Sequence, residues 1–373
     1  MSLTIESVET FVYRAPIDTP VQTSFGIMRD RPAVFVRVTD TEGVQGWGEV
    51  WCNFPTVGAE HRARLVDSVF APLLVGKTWV SPEYAFRDLT AGTEVLAIQA
   101  AESGPIAQCI AGLDIAMWDL HARRMNQPLW QLLGGTSPVV PVYASGLNPT
   151  APERLAARKQ SEGYRAFKLK VGFGRERDLT NLKALRSVIG DLALMVDANQ
   201  AWDLGTATEM AAAFVDFDLG WLEEPLRADR PWSEWQQLAR TSAFALAAGE
   251  NMAAASSFDA ALESKALGVV QPDLAKWGGF TGCLPVAKNI LSHRARFCPH
   301  FLGAGIGLLA SAHLLAAVGG NGMLEIDAND NALRTLTCGP LASILEGRAS
   351  LGTAPGLGLA PDQQALSEFL VAH

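Results

Sequence analysis

The sequence lacks the features that mark several large classes of protein. Its 373 residues include 30 lysines and arginines but 39 aspartates and glutamates, which gives a formal net charge of −9. Because a nucleic-acid-binding surface needs an excess of basic residues, this composition argues against a nucleic-acid partner. The five cysteines are scattered along the chain without any Cys-x-x-Cys pair. We therefore expect reduced thiols in a cytoplasmic protein.

The sequence pattern also predicts neither a secretory signal nor a membrane-spanning segment. The first residues, MSLTIESVETFVYRAP, contain acids where a secretory signal has basic residues and an apolar run. One long uncharged stretch, residues 301–324, is interrupted only by His313. Its glycine and alanine content and its lack of flanking basic residues favour a buried helix over a membrane span.

Residues 1–135 have the pattern of an α+β unit. The stretches TIESVETFVYR, AVFVRVTD and VQGWGEV alternate like strands, and the last two are joined by a short turn at Asp40 to Gly43. Helical patterns follow at about residues 59–75, 81–100 and 105–125. The pair Gly134 and Gly135 ends this unit.

From residue 136 the pattern changes to short apolar runs that alternate with helical stretches. The runs are VVPVYAS (139–145), AFKLKV (166–171), LALMVDAN (192–199), LGWLEEP (219–225), FALAAGEN (244–251), LGVVQPD (267–273), ARFCPH (295–300) and GMLEID (322–327). Eight βα units with right-handed crossovers predict a closed β/α barrel over residues 136–327. Residues 328–373 do not continue this alternation of strands and helices, and we expect them to pack against the N-terminal unit.

Most of these runs end in ionisable residues that a buried strand normally avoids. They are Lys168, Lys170, Asp197, Glu223, Glu224, Glu250, Asp273, His300 and Glu325. Taken alone, each acid is more typical of a helix N-cap or a solvated turn. Their spacing of one βα unit places all of them at the C-terminal mouth of the barrel, where barrel enzymes assemble their active sites. We therefore predict one ring of functional residues.

Three acids of this ring indicate a metal ion. Asp197, Glu223 and Glu250 end three consecutive predicted strands and would repel one another without a cation between them. Ligation by oxygen alone favours Mg²⁺ over zinc. Glu224 is adjacent to Glu223, so both cannot face inward on a regular strand, and one of the two lies behind the metal or turns away. Asn199 shares a face with Asp197 and is a candidate substrate contact.

Two further pairs indicate acid–base chemistry next to a carboxylate. Lys168 and Lys170 point to the same face of a strand, so Lys168 and a metal can lower the pKa of Lys170 and make it a base. Asp273 and His300 end neighbouring strands, where the carboxylate can hold the imidazole. A metal-bound substrate carboxylate would stabilise the enediolate formed when the adjacent carbon loses a proton.

With these residues, the chain resembles the enolase superfamily, in its mandelate racemase subgroup. The resemblance rests on KLK (168–170), DAN (197–199), WLEEP (221–225), GEN (249–251), PDLAKWGG (272–279), CPH (298–300) and MLEID (323–327), with GLDIAMWDL and PLWQLLGG in the N-terminal part. It extends over essentially the whole chain. It implies an α/β fold: a modified TIM barrel, (β/α)7β, with an N-terminal α+β capping domain.

The resemblance also implies roles for the ring. It makes Asp197, Glu223 and Glu250 the ligands of Mg²⁺, and Lys170 the base on one face of the substrate with Lys168 as its electrostatic neighbour. His300 with Asp273 corresponds to the dyad on the other face. Glu325 corresponds to the acid that hydrogen-bonds a substrate carboxylate oxygen.

The expected reaction is the dehydration of an acid sugar, an aldonate or aldarate, to a 2-keto-3-deoxy acid. A racemase or epimerase of a 2-hydroxy acid would use the same Lys and His bases, and the sequence does not separate the two. Relatives of the muconate-lactonizing type have lysine where this chain has Asp273. This difference argues against cycloisomerase or dipeptide-epimerase activity. A homo-oligomer is also expected from the resemblance.

Specificity is expected from two N-terminal loops, Thr19 to Arg31 and Trp51 to His61, folded over the barrel mouth. Within them, Arg29, Arg31 and Asn53 are candidate contacts for polyol or distal carboxylate groups of the substrate.

Two alternative functions, each from a different class of protein, compete with this interpretation. Gly303, Gly305 and Gly307 follow a predicted strand, with Glu325 about 20 residues later, as in a nicotinamide-binding fingerprint. The final glycine of that fingerprint is replaced here by Leu308. The second alternative is a barrel that serves only as a binding protein and has no catalytic activity, because fold alone does not prove activity.

Overall fold

The N-terminal unit is built on an antiparallel sheet. The computed structural model describes residues 2–24 and 26–373; Met1, in the predicted N-terminal unit, and Phe25, in the first predicted loop, lie outside the described residues. Strands β1 (Leu3–Gln22), β2 (Ile27–Asp40) and β3 (Gln45–Val50) pair in chain order. The predicted turn joins β2 to β3, where Gly43 has φ 80° and its N–H donates to the Asp40 carbonyl over 2.9 Å.

Helices cover one face of this sheet. The elements are α1 (Gly58–Leu65), a π-helical turn (Val66–Phe70), α2 (Ala71–Leu74), strand β4 (Thr78–Trp79), α3 (Pro82–Ala100), α4 (Ser103–Arg124) and α5 (Leu129–Leu132). Helix α4 lies directly on β3 because glycines face each other there. A Cβ atom on Gly48 would stand 2.0 Å from the Gly112 carbonyl oxygen, so no larger residue fits this contact.

The second unit is the predicted barrel, with strands and helices in strict alternation. The strands are β5 (Val139–Leu147), β6 (Ala166–Lys170), β7 (Ala193–Asp197), β8 (Leu219–Glu223), β9 (Ala245–Ala248), β10 (Val269–Val270), β11 (Arg296–Phe297) and β12 (Leu324–Asp327). The helices are α6 (Pro152–Ser161), α7 (Arg175–Ile189), α8 (Leu204–Ala213), α9 (Trp232–Thr241), α10 (Ala255–Ser264), α11 (Gly279–Ser292), α12 (Gly305–Val318) and, after β12, α13 (Ala332–Thr337). A short 3₁₀ turn, Val215–Phe217, precedes β8.

The eight strands are parallel and run in the order β11-β10-β9-β8-β7-β6-β5-β12. The last strand therefore pairs with the first, and Glu325 lies opposite Tyr143. Gly322, just before β12, lies so close to β11 that a Cβ atom would stand 1.7 Å from the Phe297 carbonyl oxygen. The predicted fold, a modified TIM barrel with an α+β capping domain, is confirmed.

Side chains of alternate strand positions fill the inside of the barrel below its mouth. They are Tyr143, Ala166, Met195, Trp221, Ala247, Val269 and Cys298, all buried. The neighbouring positions on each strand face outward and pack against the helices. This period of two carries Lys168, Asp197, Glu223 and His300 inward, one layer above the apolar one.

The C-terminal residues pair with both units. Strand β13 (Arg348–Ser350) runs antiparallel to the start of β5, and β14 (Leu370–Val371) runs antiparallel to β1 at Val12 and Tyr13. Two 3₁₀ turns, Gly339–Ala342 and Ser367–Phe369, lie in this segment.

The long uncharged stretch forms α12, a helix buried between the barrel and the capping domain. Its glycines serve close packing: a Cβ atom on Gly305 would stand 2.1 Å from the backbone of Thr337, and one on Gly307 2.3 Å from the Phe301 ring. Glu325 would be the acid of the nicotinamide-binding fingerprint, but its side chain points into the barrel and contacts Lys168. None of the helices in the described part of the chain is both long and apolar enough to cross a membrane.

Glu49 of β3 connects the capping domain to the start of α12. Its carboxylate accepts the N–H groups of Ala304 over 2.6 Å and of Gly307 over 2.8 Å. Burial raises the pKa of Glu49 to about 7, although these N–H donors act in the opposite direction. The carboxyl group therefore holds the segment that follows His300 against the capping domain.

A pH-dependent stability is expected from this group. The folded pKa of Glu49, about 7, lies above the ordinary 4.5, so its stabilising contribution is present below about pH 4.5 and is lost as the pH rises through 7. The free energy of unfolding of the wild type should fall over this range by up to about 3 kcal/mol relative to Glu49→Gln, which does not titrate. Denaturant unfolding of both proteins across this range measures the difference. Parallel pH curves would contradict the assignment.

Candidate active site

The ends of the barrel strands surround a cavity of about 270 Å³ beneath the capping domain. Lys170, Glu250 and His300 line it from the barrel, as do Asn199 and Asp327. The predicted loops close it from above, and their lining residues are Val21, Thr23, Met28, Trp51, Asn53 and Phe54. Residues far apart in the chain therefore meet at one mouth.

The two lysines of β6 each contact carboxylates. Lys168 Nζ lies 2.5 Å from Glu223 Oε1 and 2.6 Å from Glu325 Oε1. Lys170 Nζ lies 2.5 Å from Asp197 Oδ2. Burial lowers the pKa of Lys170, but the charge and hydrogen bond of Asp197, together with the charge of Glu250, outweigh it and the pKa is raised overall. The low pKa expected of Lys170 is therefore not reached while Asp197 is its partner.

Glu223 points into the barrel and is held from three sides. Besides the contact with Lys168, its Oε2 accepts from Gln271 Nε2 over 2.7 Å and from Trp221 Nε1 over 3.0 Å. Burial, together with Asp197 and Glu325, raises the pKa of Glu223 to about 7 against the opposing effect of Lys168. Gln271 and Trp221 were not predicted. Each lies two residues before a predicted site residue on the same strand face, which is the signal that could have identified them.

Glu224 follows at the end of the same strand with φ 40°, which breaks the regular alternation. It is therefore not turned away from the mouth. Its Oε1 accepts from Asn251 Nδ2 over 2.8 Å, while its buried Oε2 has no hydrogen-bond partner in the part of the chain that the structure describes. Burial and the nearby charges of Glu250 and Asp197 raise the pKa of Glu224 well above its usual value.

His300 lies between two carboxylates. Its Nδ1 is 2.7 Å from Asp273 Oδ2, and its Nε2 is 2.7 Å from Glu250 Oε2. The backbone N–H of Ala275 donates to Asp273 over 2.9 Å and holds that carboxylate in place. Burial lowers the pKa of His300, but Glu250 and Glu325 outweigh it, and the pKa stands well above its usual value. The imidazole is therefore protonated in this arrangement.

The donor set fits a divalent cation, although the described residues contain no cluster of three His, Cys, Asp or Glu side chains already arranged around one point. Asp197, Glu223 and Glu250 instead each contact a lysine or His300. Besides the Asp327–Arg31 pair, the mouth holds six carboxyl groups and four cationic groups: Asp197, Glu223, Glu224, Glu250, Asp273 and Glu325 with Lys168, Lys170, Lys276 and His300. The carboxyl groups gathered at the mouth, and the unpartnered oxygen of Glu224, suit a hard divalent ion.

The structure places the candidate substrate-contacting residues in different positions relative to the cavity. Asn199 lines the cavity and its Nδ2 donates to Asp197 Oδ2 over 3.1 Å. Asn53 also lines it and donates to the Leu302 carbonyl over 2.5 Å. The expectation for Arg29 is corrected, because this residue is exposed and its neighbour on the strand, Met28, faces the cavity. Arg31 is buried and forms an ion pair with Asp327, so it supports the cavity wall from behind.

Sequence reasoning also missed Lys276. Its Nζ lies at the cavity, 3.2 Å from Glu250 Oε1 and 3.3 Å from Asn251 Oδ1. It stands beyond the strand end, in a loop to which strand periodicity does not apply. Its place three residues after Asp273 within PDLAKWGG was the available signal.

Family models match both units of the chain. The N-terminal domain of mandelate racemase / muconate lactonizing enzymes matches residues 7–134, and an enolase C-terminal domain-like model matches residues 151–365.

Curated relatives of several activities match along most of the chain. The chain is 32% identical to 3,6-anhydro-alpha-L-galactonate cycloisomerase of Streptomyces coelicolor, over 98% of this chain and 99% of that protein. It is 28% identical to D-galactarolactone cycloisomerase of Agrobacterium fabrum, over 98% of both proteins. It is 25% identical to arabinonate dehydratase of Saccharolobus solfataricus, over 87% of both.

Solved structures agree with these matches. A mandelate racemase/muconate lactonizing enzyme from Bordetella bronchiseptica is 55% identical, with a TM-score of 0.94 and 99% of both chains covered. A racemase from Streptomyces coelicolor, solved with bound magnesium, is 30% identical, with a TM-score of 0.89 over 98% of this chain and 100% of that one. An enolase from Bradyrhizobium, complexed with magnesium and mandelic acid, is 29% identical, with a TM-score of 0.87 over 100% of this chain and 99% of that one. This chain therefore belongs to the enolase superfamily, within its mandelate racemase/muconate lactonizing enzyme group.

Proposed function

We propose that this enzyme removes the proton next to the carboxylate of a sugar acid and then eliminates the oxygen on the β-carbon. The observation that supports it best is that Lys170 and His300 line one cavity from β6 and from the end of β11, strands separated by others in both directions around the barrel. A substrate carbon between them is accessible to a base on one side and an acid on the other.

Asp197, Glu223 and Glu250 would hold Mg²⁺, which would bind the substrate carboxylate and stabilise the negative charge of the enediolate. Lys170 takes the α-proton, because burial and the charge of Lys168 both lower its pKa once Asp197 is neutralised. Protonated His300, held by Asp273, gives its proton to the departing oxygen. Lys168 and Glu325 lie paired beneath the cavity, where they position the carboxylate end of the substrate.

The first candidate reaction is dehydration of an aldonate or aldarate, in which the departing oxygen is a free hydroxyl and the product is a 2-keto-3-deoxy acid. Ring opening is the second candidate, and two of the relatives named above are cycloisomerases. Loss of a ring oxygen from the β-carbon is the same elimination, so Asp273 in place of lysine does not exclude it. A racemase would use Lys170 and His300 without losing the oxygen.

A substrate screen tests this proposal. We expect keto acid to form, only with Mg²⁺ present, from at least one member of a panel of aldonates, aldarates and their lactones and anhydro forms. The keto acid is measured by semicarbazone absorbance, and the same panel is run in deuterium oxide to follow exchange at the α-carbon by NMR. Exchange without keto acid would identify a racemase or epimerase. Neither exchange nor keto acid across the whole panel would contradict the proposal.

A further inference from the structure

We propose that Lys276 is a further catalytic residue, whose ammonium group binds the departing β-oxygen of the substrate. This inference rests on the proposed elimination and assigns a second donor to the oxygen that His300 protonates. A departing oxygen carries growing negative charge, which a positioned N–H donor stabilises.

Lys276 is held in place from two sides. Its backbone N–H donates to Asp273 Oδ1 over 3.1 Å, so the loop that carries it is fastened to the His300 partner. From the capping domain, the Trp51 ring covers its side chain, with Nζ 4.8 Å from the ring centroid. The backbone N–H of Trp51 donates to the Ala275 carbonyl over 3.4 Å. The side chain of Lys276 is 12% exposed, and the residue lines the cavity.

The lysines of the mouth differ in how firmly their ammonium groups are held. Lys168 contacts two carboxylates at 2.5 and 2.6 Å, and Lys170 contacts Asp197 at 2.5 Å. Lys276 has longer contacts, 3.2 Å to Glu250 and 3.3 Å to Asn251. An ammonium group has three N–H donors, so Lys276 keeps one for a ligand in the cavity.

The contact with Glu250 controls whether the ammonium group of Lys276 can bind a ligand in the cavity. Its carboxylate is shared between Lys276 Nζ and His300 Nε2, at 3.2 and 2.7 Å. Under the proposed function Glu250 also holds a divalent cation, which weakens its attraction for both groups. His300 and Lys276 are then the two cationic donors on the same side of the cavity, opposite Lys170.

The step balances without any covalent bond to Lys276. The α-carbon loses its proton to Lys170, the electron pair forms the new carbon–carbon double bond, and the β-carbon–oxygen bond breaks. The oxygen leaves with its electron pair and receives a proton from His300, while Lys276 stays protonated and donates an N–H···O hydrogen bond. Lys276 therefore assists the elimination and not the removal of the α-proton.

The test separates these two steps. With the acid that gives keto acid in the screen above, Lys276→Met should lower keto-acid formation about 100-fold, while α-deuterium exchange changes by less than about threefold. Lys276→Arg, which keeps the charge, should recover part of the elimination. Lys288→Met, at an exposed position on α11, is the matched control and should behave as wild type.

Binding of Mg²⁺ alone, measured by calorimetry, distinguishes this role from a structural one. Removing a cation beside Glu250 should leave Mg²⁺ affinity equal or higher, whereas a residue that only orients Glu250 would lower it when replaced. Equal loss of exchange and elimination, or weaker Mg²⁺ binding, in a folded Lys276→Met protein would overturn the proposal. A wild-type enzyme that neither exchanges nor eliminates would instead show that the proposed function fails, and the role of Lys276 with it.

Discussion

Lys170→Met is expected to lose both α-deuterium exchange and keto-acid formation, each by at least about 10³-fold, because it removes the proposed base on that side of the substrate. Methionine keeps the buried stem of the side chain and removes only the ammonium group. Asp197 then loses its nearest cationic partner, at 2.5 Å, and keeps the hydrogen bond from Asn199 Nδ2. We therefore expect Mg²⁺ affinity to be equal to or higher than that of the wild type.

The matched variant for this prediction is Lys170→Arg. Arginine keeps the positive charge beside Asp197 but cannot act as a base near neutral pH, so it should be as inactive as the methionine variant. Activity is measured by NMR exchange and keto-acid assay, metal binding by calorimetry, and folding by circular dichroism. Normal exchange in either variant would show that Lys170 is not the base.

His300→Asn is expected to give a different result. Keto-acid formation should fall by about 10³-fold, because the departing oxygen loses its proton donor. Exchange of the α-proton should persist, since Lys170 is unchanged. Asparagine can still donate a hydrogen bond to Asp273, which lies 2.7 Å from the imidazole in the wild type, so the cavity wall should keep its shape.

Both reactions are followed in the same deuterium oxide experiment, with calorimetry to confirm that Mg²⁺ still binds. Asp273→Asn is the companion variant: it leaves the imidazole in place but removes the charge that holds it, and its elimination rate should lie between those of wild type and His300→Asn. Loss of exchange in His300→Asn, with exchange retained in Lys170→Met, would reverse the roles of base and acid.

The sequence predicted the strand ends well because a barrel repeats one unit. A parallel strand at the centre of a fold is apolar on both faces, so Lys, Asp, Glu and His at its end are conspicuous. Position within the unit then places Lys170, Glu250 and His300 at one mouth before any coordinates are known. Strand length was less predictable: β10 and β11 are each two residues long, where longer apolar runs were expected.

Side-chain direction at irregular positions was harder to predict. Glu224 comes to the mouth through a φ of 40°, which a regular strand pattern does not anticipate. Met28 and not Arg29 faces the cavity, and a shift of one residue in a strand reverses which side chain points inward. Gln271 was missed because it is uncharged, and Lys276 because it lies in a loop.

The sequence by itself determined the number of βα units, the presence of an N-terminal α+β unit and the identity of the ionisable ring, because these follow from hydrophobic period and spacing. The tertiary structure alone decided which groups touch: Glu223 with Lys168, Glu250 with His300 and Lys276, and Arg31 with Asp327. Such pairs join distant strands and separate domains, and their partners depend on distances of a few ångströms that no local pattern encodes.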